Sequence, residues 1–330
     1  MSFTMICNCD LELKTMTAQR KKISIVTPVY NESEGISYFH KALCDIFCQA
    51  PEIDFEVVCI DDGSRDDTLN QLIAISENDF RFHVIELSRN FGKEAALTAG
   101  IEAATGDAVI PMDADLQDPP ELILEMIKEW FKGAEVVLAR RFDRSSDSFL
   151  KRKTAEMFYQ LHNSLSTIQI PNNVGDFRLM DRIVIDALKQ IPEQHRFMKG
   201  LFAWVGFKTV TLDYVRSPRI AGTTKFSGWK LWNFALEGIT SFSAVPLRFW
   251  TYIGLAGAFV TFIYAIFIIS RTLILGIDVP GYASMLVAVL FFGSLQLISV
   301  GILGEYIGRI YMETKRRPLY LIRKHYGVKQ

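Results

Sequence analysis

The chain has 330 residues, 49% of them hydrophobic, and its 36 Lys and Arg residues are balanced by 37 Asp and Glu residues. This length exceeds the roughly 100 to 200 residues of an ordinary domain, so one large domain with an appendage is expected. The net charge of −1 differs from the strongly basic overall charge typical of nucleic-acid-binding proteins, and no nucleic-acid partner is predicted.

Residues 1–21 show neither clear periodicity nor a targeting pattern, and they are predicted to be an extension without a fold of their own. Cys7 and Cys9 would make half a metal site, but no matching Cys/His pair follows them. Buried thiols in a reducing compartment are expected at the other cysteines, Cys44, Cys48 and Cys59. The five His residues show no ligand spacing, so core or surface roles are expected for them.

From residue 22 onward, short β-rich runs alternate with amphipathic helical patterns. Strands are predicted at 23–29, 55–60, 82–87, 108–112 and 135–139, and helices at about 34–48, 67–77, 92–104 and 120–132. This alternation predicts an α/β fold of Rossmann-like type, with a mostly parallel sheet and helices on both faces. Ligands of such sheets bind at the carboxyl ends of the strands.

The most informative stretch is Gly106–Glu121, where a short apolar strand ends in two carboxylates. In an extended chain Asp113 and Asp115 point to the same side, and Gln117 extends that row of oxygens. Such hard oxygen ligands suit Mg²⁺ or Mn²⁺, which fills the rest of its shell with substrate phosphates. The sequence therefore predicts a metal site for a diphosphate, and the alternative is a polar turn before a helix that begins with two prolines.

Two other predicted strands also end in polar residues, at Thr27–Glu32 and Asp61–Ser64. Carboxylates there can accept the N–H of a base or a ribose hydroxyl. The turn after the first strand lacks the G-x-G-x-x-G pattern, which disfavours a dinucleotide dehydrogenase. The alternative is structural: Asp61 or Asp62 caps a helix, and Gly63 serves only the turn.

Cations follow in three places. Arg140 and Arg141 end the fifth strand, a predicted helix at 149–166 begins with a basic run, and the loop 216–226 combines cations with glycine. The planar guanidinium of arginine can bind the phosphate of an acceptor substrate. The alternative is that these cations simply form a solvent-exposed surface. Residues 227–248 are predicted to be an amphipathic interface helix region, with a core-facing helix as the alternative.

Two uncharged stretches, 249–270 and 282–304, match the roughly 20 residues of a spanning helix. A pair of buried core helices is the alternative. Residues 306–330 hold seven Lys or Arg residues against one Glu, whereas the turn between the stretches has only Arg271 and Asp278. By the positive-inside rule, the domain, both termini and the basic tail 305–330 are predicted to be cytoplasmic.

The segments V-T-P-V-Y-N-E, I-D-D-G-S-R-D-D-T, L-S-R-N-F-G-K-E-A-A-L, D-A-D-L-Q-D-P-P-E and G-D-F-R-L-M resemble the motif series of family 2 glycosyltransferases with the GT-A fold. Within that family the chain is most similar to polyprenyl-phosphate glycosyltransferases, in particular the two-span bactoprenol (undecaprenyl-phosphate) glucosyltransferases of bacteria. It is also similar to dolichol-phosphate mannose synthase. The resemblance covers about residues 22–327 and implies a GT-A domain at 22–226.

This resemblance also implies roles for individual residues. The nucleotide is expected to contact Pro28, Tyr30, Glu32, Asp61, Lys93 and Asp113, and the metal is expected to bind Asp113, Asp115 and Gln117. For Lys93 a solvated lysine at a helix start is the alternative. Asp176 is the candidate catalytic base, with Arg178 near a phosphate; the alternatives are a carboxylate that orients the acceptor or responds to the metal, and a loop carboxylate paired with Arg178. Acceptor or phosphate contacts are expected from Arg141, Arg152, Arg219 and Lys225.

The implied reaction is inverting transfer of one hexose, glucose from UDP-glucose, to undecaprenyl phosphate at the cytoplasmic membrane face, for modification of an envelope glycan such as the lipopolysaccharide O-antigen. Mannose, N-acetylglucosamine or an aminoarabinose is the alternative sugar. A processive synthase is disfavoured because the chain has too few spans and no Q-x-x-R-W motif. A non-catalytic scaffold is the other alternative. Gly304 and Gly308 would permit the close helix contact of a homo-oligomer.

Overall fold

The computed structural model describes residues 20–142, 174–193, 196, 198–215, 245–275 and 281–327. Three predicted features lie outside these residues: the basic-run helix 149–166, the cationic loop 216–226, and the extension as far as residue 19. The interface region 227–248 falls inside them only at its last four residues.

Eight strands of the described residues form one sheet in the order β7-β5-β6-β4-β1-β2-β3-β8. Their bounds are β1 Lys22–Val29, β2 Asp54–Asp61, β3 Phe82–Leu87, β4 Ala108–Pro111, β5 Val136–Arg141, β6 Val174–Asp181, β7 Thr209–Tyr214 and β8 Ile322–Tyr326. Only β6 and β8 run antiparallel to their neighbours. The prediction of an α/β fold with a mostly parallel sheet is therefore confirmed.

The described helices are α1 Ile36–Gln49, α2 Thr68–Asn78, α3 Lys93–Ala103, α4 Leu122–Phe131, α5 Arg182–Lys189, α6 Met198–Trp204, α7 Val245–Leu275 and α8 Tyr282–Lys315. They cover both faces of the sheet, because one buried cluster joins it to α1, α2 and α4 and a second joins it to α3, α5 and α6. The predicted apolar stripe of α1 is buried in the first cluster, at Ile36, Phe39, Leu43 and Phe47.

Small residues let α3 lie directly on the sheet. Its buried face includes Ala95, Ala96, Ala99 and Gly100. A Cβ at Gly100 would lie 2.3 Å from a methyl carbon of Val26, which is closer than real Cβ contacts. The short distance between this helix and the sheet holds the first turn of α3 next to the carboxyl ends of the central strands.

Three strands were not predicted from the sequence. The segment of β6 had been interpreted only as a motif loop, since its apolar residues are interrupted by Asp176 and Arg178. The strand β7 has the alternating sequence T-V-T-L-D-Y, with Tyr214 buried at its end. The strand β8 carries a single aliphatic residue, Ile322, and its position at the sheet edge depends on pairing with β3.

Two long helices, α7 and α8, contact each other and contain both predicted spans. Large apolar side chains on them are exposed, among them Phe259, Phe262, Val289 and Leu297. By length and composition, one helical stretch of the described residues, Phe291–Lys315, is long and apolar enough to cross a membrane. Helix α8 also continues to Lys315, well beyond the predicted end of the second span.

Candidate active site

The loops after β1 and β2 are joined to each other by hydrogen bonds. The backbone N–H of Asn31 donates to Ser64 Oγ at 3.0 Å, and Asn31 Oδ1 accepts from the backbone N–H of Arg65 at 2.8 Å. Asn31 has a φ of 52°, a left-handed conformation that Asn tolerates better than most residues. These bonds fix the loop that carries Tyr30 and Glu32 beside the end of β2.

Asp61 ends β2 as a buried carboxylate that is only partly satisfied. Its Oδ2 accepts the backbone N–H of Ser64 at 3.1 Å. Its Oδ1 is buried and has no hydrogen-bond partner among the described residues. Burial raises the pKa of Asp61. A buried acceptor without a partner is costly, so this oxygen fits a donor on a bound ligand.

The neighbouring Asp62 has a structural role. Its Oδ1 accepts the backbone N–H of Phe91 at 2.7 Å and its Oδ2 accepts that of Gly92 at 2.9 Å. The approach is possible because Gly63 has a φ of 70°, and a Cβ there would lie 2.7 Å from the backbone of Arg89. The carboxylate of Asp62 thus fixes the backbone immediately before Lys93, the first residue of α3.

The loop after β4 carries the predicted metal ligands. Exposure alternates along it: Asp113, Asp115 and Gln117 are partly exposed, whereas Ala114 and Leu116 are buried. Asp115 Oδ1 accepts the backbone N–H of Gln117 at 3.2 Å. The side-chain oxygen Oε1 of Gln117 is buried without a hydrogen-bond partner in the described part of the chain.

Strand β6 brings Asp176 next to this loop. It pairs antiparallel with β4, with Ala108 opposite Asp181 and Val109 opposite Met180. Continuing that register puts Asp176 at the level of Asp113. Consistent with this level, Lys93 Nζ lies 2.7 Å from Asp113 Oδ1 and 3.0 Å from Asp176 Oδ2. Three motifs far apart in the sequence therefore meet at one ammonium group.

The charges at this point influence one another strongly. Burial opposes the charge of Lys93, but the carboxylates of Asp113 and Asp176 raise its pKa above the usual value. Burial likewise favours a neutral Asp176, yet Lys93, Lys199 and Arg178 hold its pKa well below the usual range. At neutral pH both groups are charged, and Asp176 is a weak base.

A further carboxyl group, Glu94, was missed by the sequence analysis. Its Oε2 accepts the backbone N–H of Met198 at 3.2 Å, which joins α3 to the start of α6. Burial, followed by the charge of Asp176, raises the pKa of Glu94 to about 7. Glu94 lies in the motif L-S-R-N-F-G-K-E-A-A-L, but the motif does not reveal its environment, which comes from α6 and β6, both distant in the sequence.

Arg178 is buried on β6, two residues after Asp176. It is 5% exposed, and its Nη2 donates to the carbonyl oxygen of Gly175 at 2.6 Å. Its guanidinium carbon lies 4.3 Å from the ring centre of Phe202. Packing against an aromatic face holds the guanidinium in position. From there it contributes positive charge to Asp176.

Arg141 ends β5 and lies close to the same group of residues. A Cβ at Gly175 would be 3.9 Å from Arg141 Nη2. Arg141 Nε donates to the hydroxyl oxygen of Tyr214 at 3.3 Å, and that hydroxyl donates in a short hydrogen bond to Asp118. Tyr214 thus links the arginine to the loop of the predicted metal ligands, and burial raises its pKa to about 12.

The adjacent Arg140 is engaged elsewhere, since its Nε and Nη2 donate to Asp213 at 2.6 and 2.9 Å. The sequence analysis favoured Arg141 over Arg140, and this pairing gives a physical reason for that choice. Neither Tyr214 nor Asp118 was identified from the sequence, because Tyr214 comes next to Arg141 only through the parallel pairing of β5 with β7, and its hydroxyl then reaches Asp118. The predicted contacts Arg152, Arg219 and Lys225 lie outside the described residues.

The family model described as Glycosyl transferase family 2 matches residues 24–189. A prophage bactoprenol glucosyl transferase homolog of Escherichia coli (strain K12) is 55% identical over 303 residues, which cover 92% of this chain and 99% of that protein. The bactoprenol glucosyl transferase of Shigella phage SfX is 55% identical over 302 residues, covering 92% of this chain and 99% of that protein. An uncharacterized glycosyltransferase of Synechocystis is 50% identical over 307 residues, covering 93% and 96%. The similarity extends over nearly the whole length of each relative.

Proposed function

The chain belongs to glycosyl transferase family 2, and from that premise we propose that it transfers one glucose from UDP-glucose to undecaprenyl phosphate at the cytoplasmic face of the inner membrane. The transfer inverts the anomeric carbon, and the lipid-linked sugar serves modification of a cell-envelope glycan. Relatives with 55% identity are bactoprenol glucosyl transferases by name, which supports the donor sugar and the lipid acceptor.

The observation that carries the proposal is the ammonium group of Lys93 between Asp113 and Asp176. One carboxylate belongs to the loop after β4 and the other to β6, so the two halves of the site share one cation. A leaving nucleoside diphosphate and an attacking phosphate are both anions. They need a reaction centre where positive charge is fixed in advance.

The residues present fit a divalent cation of the magnesium or manganese kind. Asp113, Asp115 and Gln117 would hold it, because all three are partly exposed on the loop after β4 and Gln117 Oε1 is a buried acceptor without a described partner. When bound, such an ion neutralises the developing charge of the leaving diphosphate. Lys93 supplies a second cation to the same diphosphate.

Other residues of the chain bind the nucleotide and the acceptor. Asp61 Oδ1 accepts an N–H of the base, and Pro28, Tyr30 and Glu32 line the base and ribose. Arg141, held by Tyr214, binds the acceptor phosphate together with Arg152, Arg219 and Lys225. A phosphate monoester has a second pKa of about 6, so at neutral pH the acceptor attacks without giving up a proton. Asp176, with its low pKa, therefore orients the acceptor rather than deprotonating it.

The membrane arrangement is part of the proposal. Helices α7 and α8 form a two-span hairpin, with residues 249–270 and 282–304 in the bilayer. Support comes from the exposed apolar side chains on both helices, which would be unfavourable in water. The basic residues after the second span keep the domain and both termini on the cytoplasmic side.

The test is an in vitro transfer assay. Membranes containing the chain are incubated with labelled UDP-glucose, Mg²⁺ and undecaprenyl phosphate, and the lipid fraction is extracted. We expect label in a single-sugar lipid, and we expect Asp115→Ala to abolish it. Label in a long polymer would indicate a processive synthase. Transfer only from another nucleotide-sugar would show that the donor sugar is not glucose. No transfer from any donor would favour a non-catalytic scaffold. Transfer by Asp115→Ala at the wild-type rate would contradict the proposed role of Asp115 as a metal ligand.

A further inference from the structure

A second cluster of potential metal ligands lies at the opposite end of the sheet from the active site. Asp79 follows α2 and precedes β3, so it lies at the amino ends of the strands, whereas the active-site residues follow their carboxyl ends. On α1, His40 and Cys44 are four residues apart and therefore share one helix face that points at Asp79. The cluster contains one of the five histidines, His40, and its other two ligand atoms come from Cys44 and Asp79.

The three ligand atoms form a nearly equilateral triangle. His40 Nε2 lies 3.5 Å from Cys44 Sγ and 3.5 Å from Asp79 Oδ2, and Cys44 Sγ lies 3.9 Å from Asp79 Oδ2. Zinc bonds of about 2.0–2.3 Å at tetrahedral angles require ligand atoms about 3.3–3.6 Å apart. The triangle is thus within a few tenths of an ångström of a zinc site, without any change of backbone.

We propose that His40, Cys44 and Asp79 bind a zinc ion as three protein ligands, with a water molecule in the fourth position. An imidazole, a thiolate and a carboxylate together favour zinc over the magnesium or manganese of the active site. Binding displaces the thiol proton of Cys44 into solvent. This proposal does not depend on the proposed glycosyl transfer.

Arg81 is the group that decides whether an ion fits. Its Nη2 lies 2.6 Å from Asp79 Oδ2 and donates to Cys44 Sγ at 3.6 Å, so it contacts two of the three atoms that would bind zinc and must move aside when the ion enters. Its Nε and its backbone N–H donate to the other oxygen, Oδ1, at 2.8 and 3.1 Å, and these two bonds can remain. Arg81 then orients the ligating carboxylate from outside, as partners of metal ligands commonly do. The zinc ion with one thiolate and one carboxylate is neutral, so the guanidinium is not repelled.

The cluster is also open to solvent on one side. A cavity of about 650 Å³ is lined by His40, Asp79 and Arg81 with residues of α2 and Phe80. The side chain of His40 is 32% exposed and that of Asp79 is 12% exposed. This opening provides a path for the ion and room for the fourth ligand. A bound zinc ion would fasten α1 to the turn between α2 and β3.

Cobalt substitution tests the site in the full chain purified in detergent. After treatment with a chelator, one equivalent of Co²⁺ is added, and the absorption spectrum is recorded for a thiolate-to-cobalt charge-transfer band. We expect the band in the wild-type chain, its loss in Cys44→Ser and His40→Gln, and its displacement by Zn²⁺. Zn²⁺ should also raise the Tm of the wild-type chain but not that of Cys44→Ser.

Two variants serve as controls. Cys48→Ser changes the exposed cysteine one turn further along α1 and should keep the band. Asp115→Ala removes a proposed active-site ligand and should also keep it, which separates this site from the one for the donor. His40→Gln retains the thiol, so it remains informative if Cys44→Ser does not fold. Absence of the band in the wild-type chain, its persistence in Cys44→Ser, or its loss in Cys48→Ser would each overturn the proposal.

Discussion

At the scale of single residues, Lys93 is the central group of the proposed active site. Its ammonium group is the direct contact between the loop of Asp113 and the strand of Asp176. The carboxylates of Asp113 and Asp176 lie 2.7 and 3.0 Å from this ammonium group, and they would repel each other without a cation between them. The sequence offered either a nucleotide contact or a solvated lysine at a helix start. The ion pairs show that Lys93 is paired with two carboxylates, and its contact with the nucleotide stays a prediction.

Replacing Lys93 by Gln should lower kcat/KM for transfer about 100-fold, because a fixed positive charge is lost where the diphosphate leaves. Initial rates at several UDP-glucose concentrations measure the effect. Lys132→Gln is the matched control, since that side chain is 70% exposed and pairs only with Glu129 among the described residues. A rate for Lys93→Gln within a factor of three of the control would contradict this role.

The raised pKa of Glu94 predicts that the stability of the folded chain depends on pH. Its folded pKa of about 7 exceeds its usual value of 4.5, so the folded state binds more protons between those values and loses stability as the pH rises through 7. Glu94→Gln should therefore stabilise the chain at pH 8, by about 1–2 kcal/mol, and this gain should disappear near pH 5. Unfolding curves of both forms at the two pH values test the sign. An equal difference at both would show that the carboxyl group does not titrate there.

At the scale of elements, the site is positioned by connections between strand ends rather than by any one helix. Asp62 at the end of β2 accepts two backbone N–H groups just before α3, which orients the helix that begins with Lys93. Tyr214 at the end of β7 similarly connects Arg141 at the end of β5 with Asp118. These connections are made possible by the parallel order of the sheet.

The Asp62→Asn variant keeps the shape of the side chain but can accept only one of the two N–H groups. We expect a loss of about 1–2 kcal/mol in the free energy of unfolding, because one buried donor loses its partner. Transfer should also fall, since the start of α3 is less well fixed. The exposed Asp54→Asn is the control, as its carboxylate is 57% exposed. Equal denaturation midpoints for the two variants would contradict the structural role of Asp62.

The sequence sufficed for elements whose pattern is local. The strands β1 to β5 and the buried face of α1 follow from apolar periodicity, and the polar residues at strand ends follow from the rule for parallel sheets. It was insufficient where partners are distant: Glu94 depends on α6, Tyr214 on the pairing of β7, and β8 on an edge formed by β3. The expectation of buried thiols was wrong for Cys48, which is exposed on the outer face of α1.

At the scale of the whole molecule, the two ends of the described chain share one sheet. After α8 the chain returns to the domain, where β8 pairs antiparallel with β3. Arg323 and Tyr326 hydrogen-bond the buried Glu86, at 3.1 and 2.9 Å. The segment interpreted from the sequence as a basic tail therefore includes part of the domain itself.

Removing residues 318–330 should destabilise the domain by about 2–4 kcal/mol, because several hydrogen bonds are lost and Glu86 is left buried without these partners. Removing only residues 328–330 is the control. Thermal unfolding in detergent should give a lower Tm for the longer deletion alone. Equal Tm values for both deletions would show that β8 contributes nothing to stability.

The return of β8 to the sheet has a consequence for biosynthesis. The ribosome makes the first seven strands before both apolar helices, and the eighth only after them. Until translation is nearly finished, the outer edge of β3 has no neighbour, and such an open edge invites pairing with other chains. Synthesis of the two apolar helices and completion of the catalytic domain are thus coupled in time, and expression of residues 20–215 alone would yield a sheet with an uncovered edge.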